Sequence, residues 1–253
     1  MPVKSHYLPL LIWLLLGMVS CLPKTNVSDG FESPGLSWIW SSDRMVKEAL
    51  QIQSQIVRSG HSAARITLNP GDVLEKGEGN SNDSERDELR EATFLMSSEG
   101  KKYEFRFSLF LPANFPIVPT RLVIAQWKQY CGGQKECSDD SPVLAIRYIS
   151  GKLHITLQND SARTIVYQTT EEIRSKWLDF KFRIRFSRLN NGLVEAWLNE
   201  NQVIDYHGVT CYSSRKGYGS SSRFYFKTGL YRDLMAEPMV IYVDEYSKKE
   251  LTD

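Results

Sequence analysis

Histidine and cysteine are scarce, with four of each in 253 residues. No histidine or second cysteine pair stands at zinc spacing around Cys131 and Cys137, so a zinc centre is excluded there. An excess of charge of one sign is missing as well. Lys and Arg number 31 against 30 Asp and Glu, a formal net charge of +1. No global field therefore draws the chain to nucleic acid or a membrane surface, and any basic patch must be local. Long apolar runs are absent apart from Leu8 to Val19, which is too short to cross a bilayer comfortably. Helical candidates are few and short, Asp43 to Leu50 and Thr170 to Ser175, and no internal repeat is evident. With 42% hydrophobic and 24% charged residues the composition is that of a globular protein and excludes disorder. The length allows one large core or two small ones.

What is present is a succession of short segments with period two. Tyr103 to Leu111 alternates most clearly, with Tyr103, Phe105, Phe107, Leu109 and Leu111 on one face. Val143 to Ile149, Lys152 to Gln158 and Thr164 to Gln168 form a meander with turns at Ser150-Gly151 and Asn159-Asp160. Trp177 to Phe186 alternates again, and Asn190-Asn191-Gly192 turns it into Leu193 to Leu198. Further strands are expected at Phe31 to Trp40, Gln51 to Arg58, Ala63 to Leu68, Asp87 to Met96, Leu122 to Trp127, Gln202 to Tyr206 and Met239 to Tyr246. A dozen or so short strands with turns between them predict an all-β sandwich.

The most informative strand is Arg223 to Arg232, Arg-Phe-Tyr-Phe-Lys-Thr-Gly-Leu-Tyr-Arg. On strand parity Phe224, Phe226, Thr228 and Leu230 face a core. Arg223, Tyr225, Lys227, Gly229 and Tyr231 share the other face, with a glycine where something must approach closely. Arg86, Glu88 and Arg90 share a face in a second strand, as do Gln126 and Lys128 in a third.

Tyr225 to Tyr231, Tyr-Phe-Lys-Thr-Gly-Leu-Tyr, resembles the Tyr-x-Lys-x-Gly-x-Tyr strand of jelly-roll polysaccharide lyases, the group of alginate lyases, glucuronan lyases and heparin lyase I. Arg86-Asp87-Glu88-Leu89-Arg90 is similar to their Arg-x-Glu-Leu/Val-Arg strand, and Gln126-Trp127-Lys128 to their Gln-x-His or Gln-x-Lys strand. Lys128 stands where alginate lyases carry His, which favours the glucuronan/heparin branch. The resemblance implies a β-jelly-roll (concanavalin-like) sandwich of two antiparallel sheets over residues 31–253, one of them curved into a concave substrate groove. It implies an anionic polysaccharide substrate, no required cofactor, and a monomer.

The implied reaction is β-elimination on a uronic acid. Neutralising the sugar carboxylate stabilises the enolate-like state formed when the C5 proton leaves, and Gln126, Arg86 or Arg90, and Lys128 are placed for that. A base takes the proton, and an acid protonates the departing O4. Which tyrosine acts stays open. Carry-over from alginate lyases falls on Tyr225 and from heparin lyase on Tyr231; Tyr225 is preferred, with Lys227 as its electrostatic partner. His61, in a Ser-Gly-His turn, is a candidate base, because some lyases of the group pair a His base with a Tyr acid. Arg223 and Arg232 join Arg86, Glu88, Arg90 and Lys128 as candidate substrate-binding residues. His154 and His207 are read as ordinary strand histidines.

Two other readings compete. A retaining glycoside hydrolase needs two carboxylates at roughly 5 Å, and no second acidic strand accompanies Glu88. A carbohydrate-binding sandwich needs an aromatic platform and no poised acid or base; Trp177 and Trp197 are read as packing instead.

Outside the domain, residues 1–20 read as a secretory signal. Met18-Val19-Ser20-Cys21 resembles a bacterial lipobox, making Cys21 a lipidated first residue, 21–30 a polar tether, and the protein a secreted or cell-envelope lipoprotein whose membrane contact is the lipid alone. In that oxidising compartment Cys131 and Cys137 are expected to close a small loop as a disulfide, leaving Cys211 as a buried thiol. A structural Ca²⁺ in related sandwiches lies where the two ends of the domain meet, which places its candidate ligands at Glu32 and Asp244.

Overall fold

A computed structural model describes residues 25–73, 84–132, 141–213, 218 and 222–252. Strands are numbered β1 to β16 in chain order. One eight-stranded antiparallel sheet runs β14 (Asn201–Gly208), β13 (Gly192–Leu198), β12 (Trp177–Arg185), β7 (Lys102–Phe110), β16 (Met239–Glu250), β4 (Ala63–Leu68), β3 (Leu50–Gln53), with β1 (Asn26–Asp29) on β16. The other runs β11 (Arg163–Gln168), β10 (Lys152–Gln158), β9 (Leu144–Ile149), β8 (Leu122–Gln129), β15 (Arg223–Asp233), β5 (Ser84–Glu91), β2 (Trp40–Ser41), with β6 (Ser97–Ser98) on β15.

Period-two alternation makes the sandwich close. Phe105, Phe107, Phe180 and Phe182 point inward from the first sheet, and Trp127, Phe224 and Phe226 from the second; all are buried. Trp127 meets Phe182 at 4.7 Å between ring centroids, and Phe107 meets Phe226 at 5.0 Å. Such aromatic contacts across the layers carry the largest apolar areas in a core. The expected inward face of Tyr103 to Leu111 is the one observed, since Tyr103, Phe105, Phe107, Leu109 and Leu111 are all buried.

Three expectations change. The strand expected at Phe31 to Trp40 does not form, since residues 31–39 run as turns and bends before Trp40 enters β2. Neither helical candidate forms: Asp43 to Leu50 is a turn segment entering β3, and Thr170 to Ser175 is a connection. Among the described residues the only helical turn is Thr93–Leu95. Asp87 explains the first of these candidates, because its buried carboxylate accepts the Val46 N–H at 2.7 Å and holds that loop against β5. The 21–30 tether is structured in its second half, where Asn26–Asp29 pairs with β16 from Asn26↔Lys249 to Asp29↔Tyr246. Asp29 anchors it by accepting from Trp40 Nε1 at 2.8 Å.

The fold positions the site by adjacency. The three strands β8, β15 and β5 are neighbours, in that order. Lys227 stands opposite Gln126 on one side and Arg90 on the other, Tyr225 is opposite Lys128, and Tyr231 is opposite Arg86. Gly229 is required where β15 meets β5: it has φ +145°, and a Cβ there would lie 2.2 Å from the Asp87 carbonyl oxygen.

Candidate active site

Glu88 is the centre of the arrangement. It sits on β5 with no solvent exposure. Lys227 Nζ donates to its Oε2 at 2.9 Å, Arg86 Nε lies 3.4 Å from the same oxygen, and Gln126 Nε2 donates to Oε1. Burial works against the charge of Glu88, but the Lys227 and Arg86 cations and these donors hold its carboxyl below the usual range. Burial pushes the Lys227 ammonium down to about 7, with Glu88 opposing and Arg86 and Lys128 adding to the fall. Glu88 is thus an ionised positioning group rather than a substrate contact. Because it can only accept, it sets the Gln126 amide with its nitrogen inward and leaves a second N–H on that nitrogen.

Around this centre lie the two tyrosines. The Arg90 guanidinium is 5.8 Å from the Tyr225 ring centroid. Burial pushes the Tyr225 phenol up to about 12, against the pull of Arg90 and Arg44. Tyr231 is differently placed. Arg86 lies over its ring at 4.1 Å and Arg121 at 4.9 Å, and Arg121 Nη1 donates to its hydroxyl at 3.1 Å. Arg121 is held in turn by Asp233, Nε to Oδ1 at 2.7 Å, and Arg90 by Asp43, Nε to Oδ1 at 3.1 Å.

The three motif strands therefore bring Gln126, Lys227, Glu88, Arg86, Arg90, Tyr225, Tyr231 and Lys128 onto one sheet face. Arg223, at the end of the same row, is exposed beside Tyr130. Two candidates fall elsewhere. Arg232 is fully buried on the inner face; its Nε donates to Glu85 at 2.8 Å and its Nη1 to the Glu237 carbonyl at 2.6 Å. Its even parity in β15 decides this, and its role is structural. His61 lies in the β3–β4 loop of the other sheet, exposed, with its backbone N–H on the Glu32 carboxylate at 3.0 Å. Sequence reasoning missed Arg121 and Arg147. A lone Arg inside the apolar run Leu144–Ile149 was the available signal for the second.

Glu32 and Asp244 do approach one segment, as expected, but as acceptors for its backbone. Glu32 takes the N–H groups of His61 and Ser62, and Asp244 those of Arg58 and Ser59. Ca²⁺ takes six to eight oxygen ligands, and no group of three or more His, Cys, Asp or Glu suited to a metal gathers among the described residues. Both carboxylates are engaged by these backbone donors. Cys131 is disulfide-bonded, its expected partner Cys137 lies outside the described residues, and Cys211 is free and buried.

A polysaccharide lyase family model matches residues 31–247. The chain belongs to this family. The lyase also superposes on solved structures. The endo-β-1,4-glucuronan lyase of the fungus Trichoderma reesei matches with a TM-score of 0.67 at 18% identity, over 86% of this chain and 94% of that one. An alginate lyase from Corynebacterium sp. matches with a TM-score of 0.55 at 17% identity, over 81% and 82%. A cellulose-induced protein matches with a TM-score of 0.58 at 13% identity, over 88% and 96%. At these identities the structures speak for the jelly-roll fold. No curated protein matches the chain in sequence. The protein is an enzyme, a carbon–oxygen lyase acting on a polysaccharide, and the hydrolase and binding-module readings give way to that.

Proposed function

We propose that this lyase cleaves a uronic-acid polysaccharide of the glucuronan or heparin type by β-elimination on the outer face of β8, β15 and β5. The observation that carries the reading is the saturation of Glu88. With that carboxylate held by Lys227, Arg86 and Gln126, the same face carries Arg90, Arg121 and Arg147 beside Asp43 and Asp233. An excess of cations at the surface suits a polyanion, and guanidinium groups offer bidentate carboxylate recognition.

In the proposed mechanism the uronate carboxylate meets the second N–H of Gln126 and the Arg90 and Lys128 cations. As the C5–H bond breaks, its proton passes to the phenolate oxygen of Tyr231, and the electron pair is shared with that carboxylate and then forms C4=C5 while the C4–O4 bond breaks. The departing O4 takes that proton back from Tyr231, which restores the base. Tyr231 is the better placed proton-transfer group, because charge developing on its oxygen faces the Arg121 donor at 3.1 Å. Among the described residues no such donor meets the Tyr225 hydroxyl, and burial keeps its phenol protonated. Its place beside Arg90 fits sugar binding.

The test is to incubate the mature protein with glucuronan, heparin and alginate and to follow ultraviolet absorbance of a conjugated uronate. Rising absorbance on glucuronan or heparin supports the reading, and new reducing ends without absorbance would refute it. The secretory signal, the lipidated Cys21 and an envelope location are part of the same proposal; they rest on the lipobox-like Met18 to Cys21, which lies outside the described residues.

A further inference from the structure

Arg147 is a buried guanidinium of this sheet face that no carboxylate pairs with among the described residues. It sits on β9, where it stands opposite Val123 of β8, and Val123 stands opposite Tyr231 of β15. Arg147 and Tyr231 are thus two strand spacings apart along one row, about 10 Å. Arg147 is 6% exposed. Among the described residues its hydrogen bonding is limited to Nε donating to Thr156 Oγ1 at 3.2 Å, and no carboxylate pairs with it. Its charged neighbours are Arg163 and Arg121, which with burial push it down to about 10.

A guanidinium kept buried for structural reasons looks different in this molecule. Arg232 is matched to Glu85 and to the Glu237 carbonyl. A buried charge without an anion is costly, so a fold that keeps one on its working face keeps it for an anion that arrives from outside.

We propose that Arg147 anchors a second subsite, holding the carboxylate of the uronate that neighbours the sugar being cleaved. The inference rests on the uronate reading above and extends it along the chain of the substrate. The row β15, β8, β9 crosses the sheet at the strand spacing, so a polymer lying across the strands presents successive sugars to Tyr231 and then to Arg147. Arg147 is a binding residue, and the proton transfer stays with the Tyr231 cluster.

The experiment uses length-defined oligouronates of the polymer that the parent enzyme cleaves, with Arg147→Met and Arg147→Lys. For oligomers long enough to span both positions, Arg147→Met is expected to raise KM roughly 10- to 100-fold, the worth of a charged hydrogen bond, with kcat within about 2-fold because the reacting groups are untouched. Arg147→Lys should recover part of the loss. Thermal unfolding of Arg147→Met should occur at or above the parent temperature, since no folded-state ion pair is removed. An unchanged KM on long oligomers, or a lowered unfolding temperature without a KM effect, overturns the subsite. Should the parent itself give no unsaturated product on any polyuronate, the uronate reading fails and this inference with it; an active parent with an indifferent Arg147→Met sinks the subsite alone.

Discussion

Lys227 Nζ lies 2.9 Å from Glu88 Oε2, and neither side chain is more than 4% exposed. The pair joins the two motif strands across one ladder position, Gly229↔Glu88 beside Lys227↔Arg90. Removing one member of a buried pair leaves the other without compensation. Glu88→Gln is therefore expected to lower unfolding free energy by about 3–5 kcal/mol. It should also slow elimination, because a glutamine at position 88 can donate as well as accept and no longer fixes the Gln126 amide with its nitrogen inward. Denaturant titration and turnover of the same preparation check both effects.

Tyr231→Phe should leave folding and substrate binding intact and reduce turnover by about 10²- to 10⁴-fold, the usual worth of a proton-transfer group. Tyr225→Phe should act mainly on KM. Initial rates of absorbance increase across substrate concentration separate the two. The reverse pattern would move the acid/base role to Tyr225.

Arg232→Met tests the division between the two faces of β15. Glu85, 2% exposed, would be left without its guanidinium. A loss of about 3–5 kcal/mol is expected, while KM for the polysaccharide stays at the parent value in the folded fraction. A raised KM at unchanged stability would return Arg232 to the substrate side.

Asp87 gives a pH dependence with a definite sign. Burial raises its carboxyl to about 8, with the Val46 N–H pulling the other way. Between the unfolded value near 3.8 and about 8 the folded state holds more protons than the unfolded chain. Stability from this group therefore falls as pH rises through that window. Asp87→Asn, which can still accept the Val46 N–H, should match the parent near pH 4 and exceed it at pH 8 and above. Melting temperatures of both proteins across the range provide the measurement.

Cys21→Ser, expressed in a bacterial host with the full leader, should move the protein from the membrane fraction to the soluble one. Membrane association that survives the substitution would refute lipidation at Cys21.

Much of the site was legible before any coordinates. Side-chain direction along a strand has a period of two, so Tyr225, Lys227 and Tyr231, Gln126 and Lys128, and Arg86, Glu88 and Arg90 sort onto faces without further information. The apolar side of β15, Phe224, Phe226 and Leu230, says which face is inward. β5 carries no such label. Ser-Glu-Arg-Asp-Glu-Leu-Arg-Glu is charged on both faces, and its inner face proves to hold Glu85, Asp87 and Glu91 beside Leu89. Those acids are tolerated there because other strands supply their partners. Arg232 comes from β15, Lys248 from β16 with Nζ 2.7 Å from Glu91, and the Val46 N–H from the approach to β3.

The sequence by itself determined most of the strands, the core faces of the apolar ones, and the three motif strands that identify a jelly-roll polysaccharide lyase, since each depends on neighbours within a few residues. Tertiary structure decided the rest. Pairing β8 with β15 and β15 with β5 closed Glu88 off from substrate, because its charge is matched by residues 38 and 139 positions away. It turned Arg232 into a core ion pair and left His61 on the other sheet. It also set Arg121 against the Tyr231 hydroxyl and Arg147 in the same row, with no acid beside it among the described residues, since the partner of a charge is fixed by which strands lie side by side.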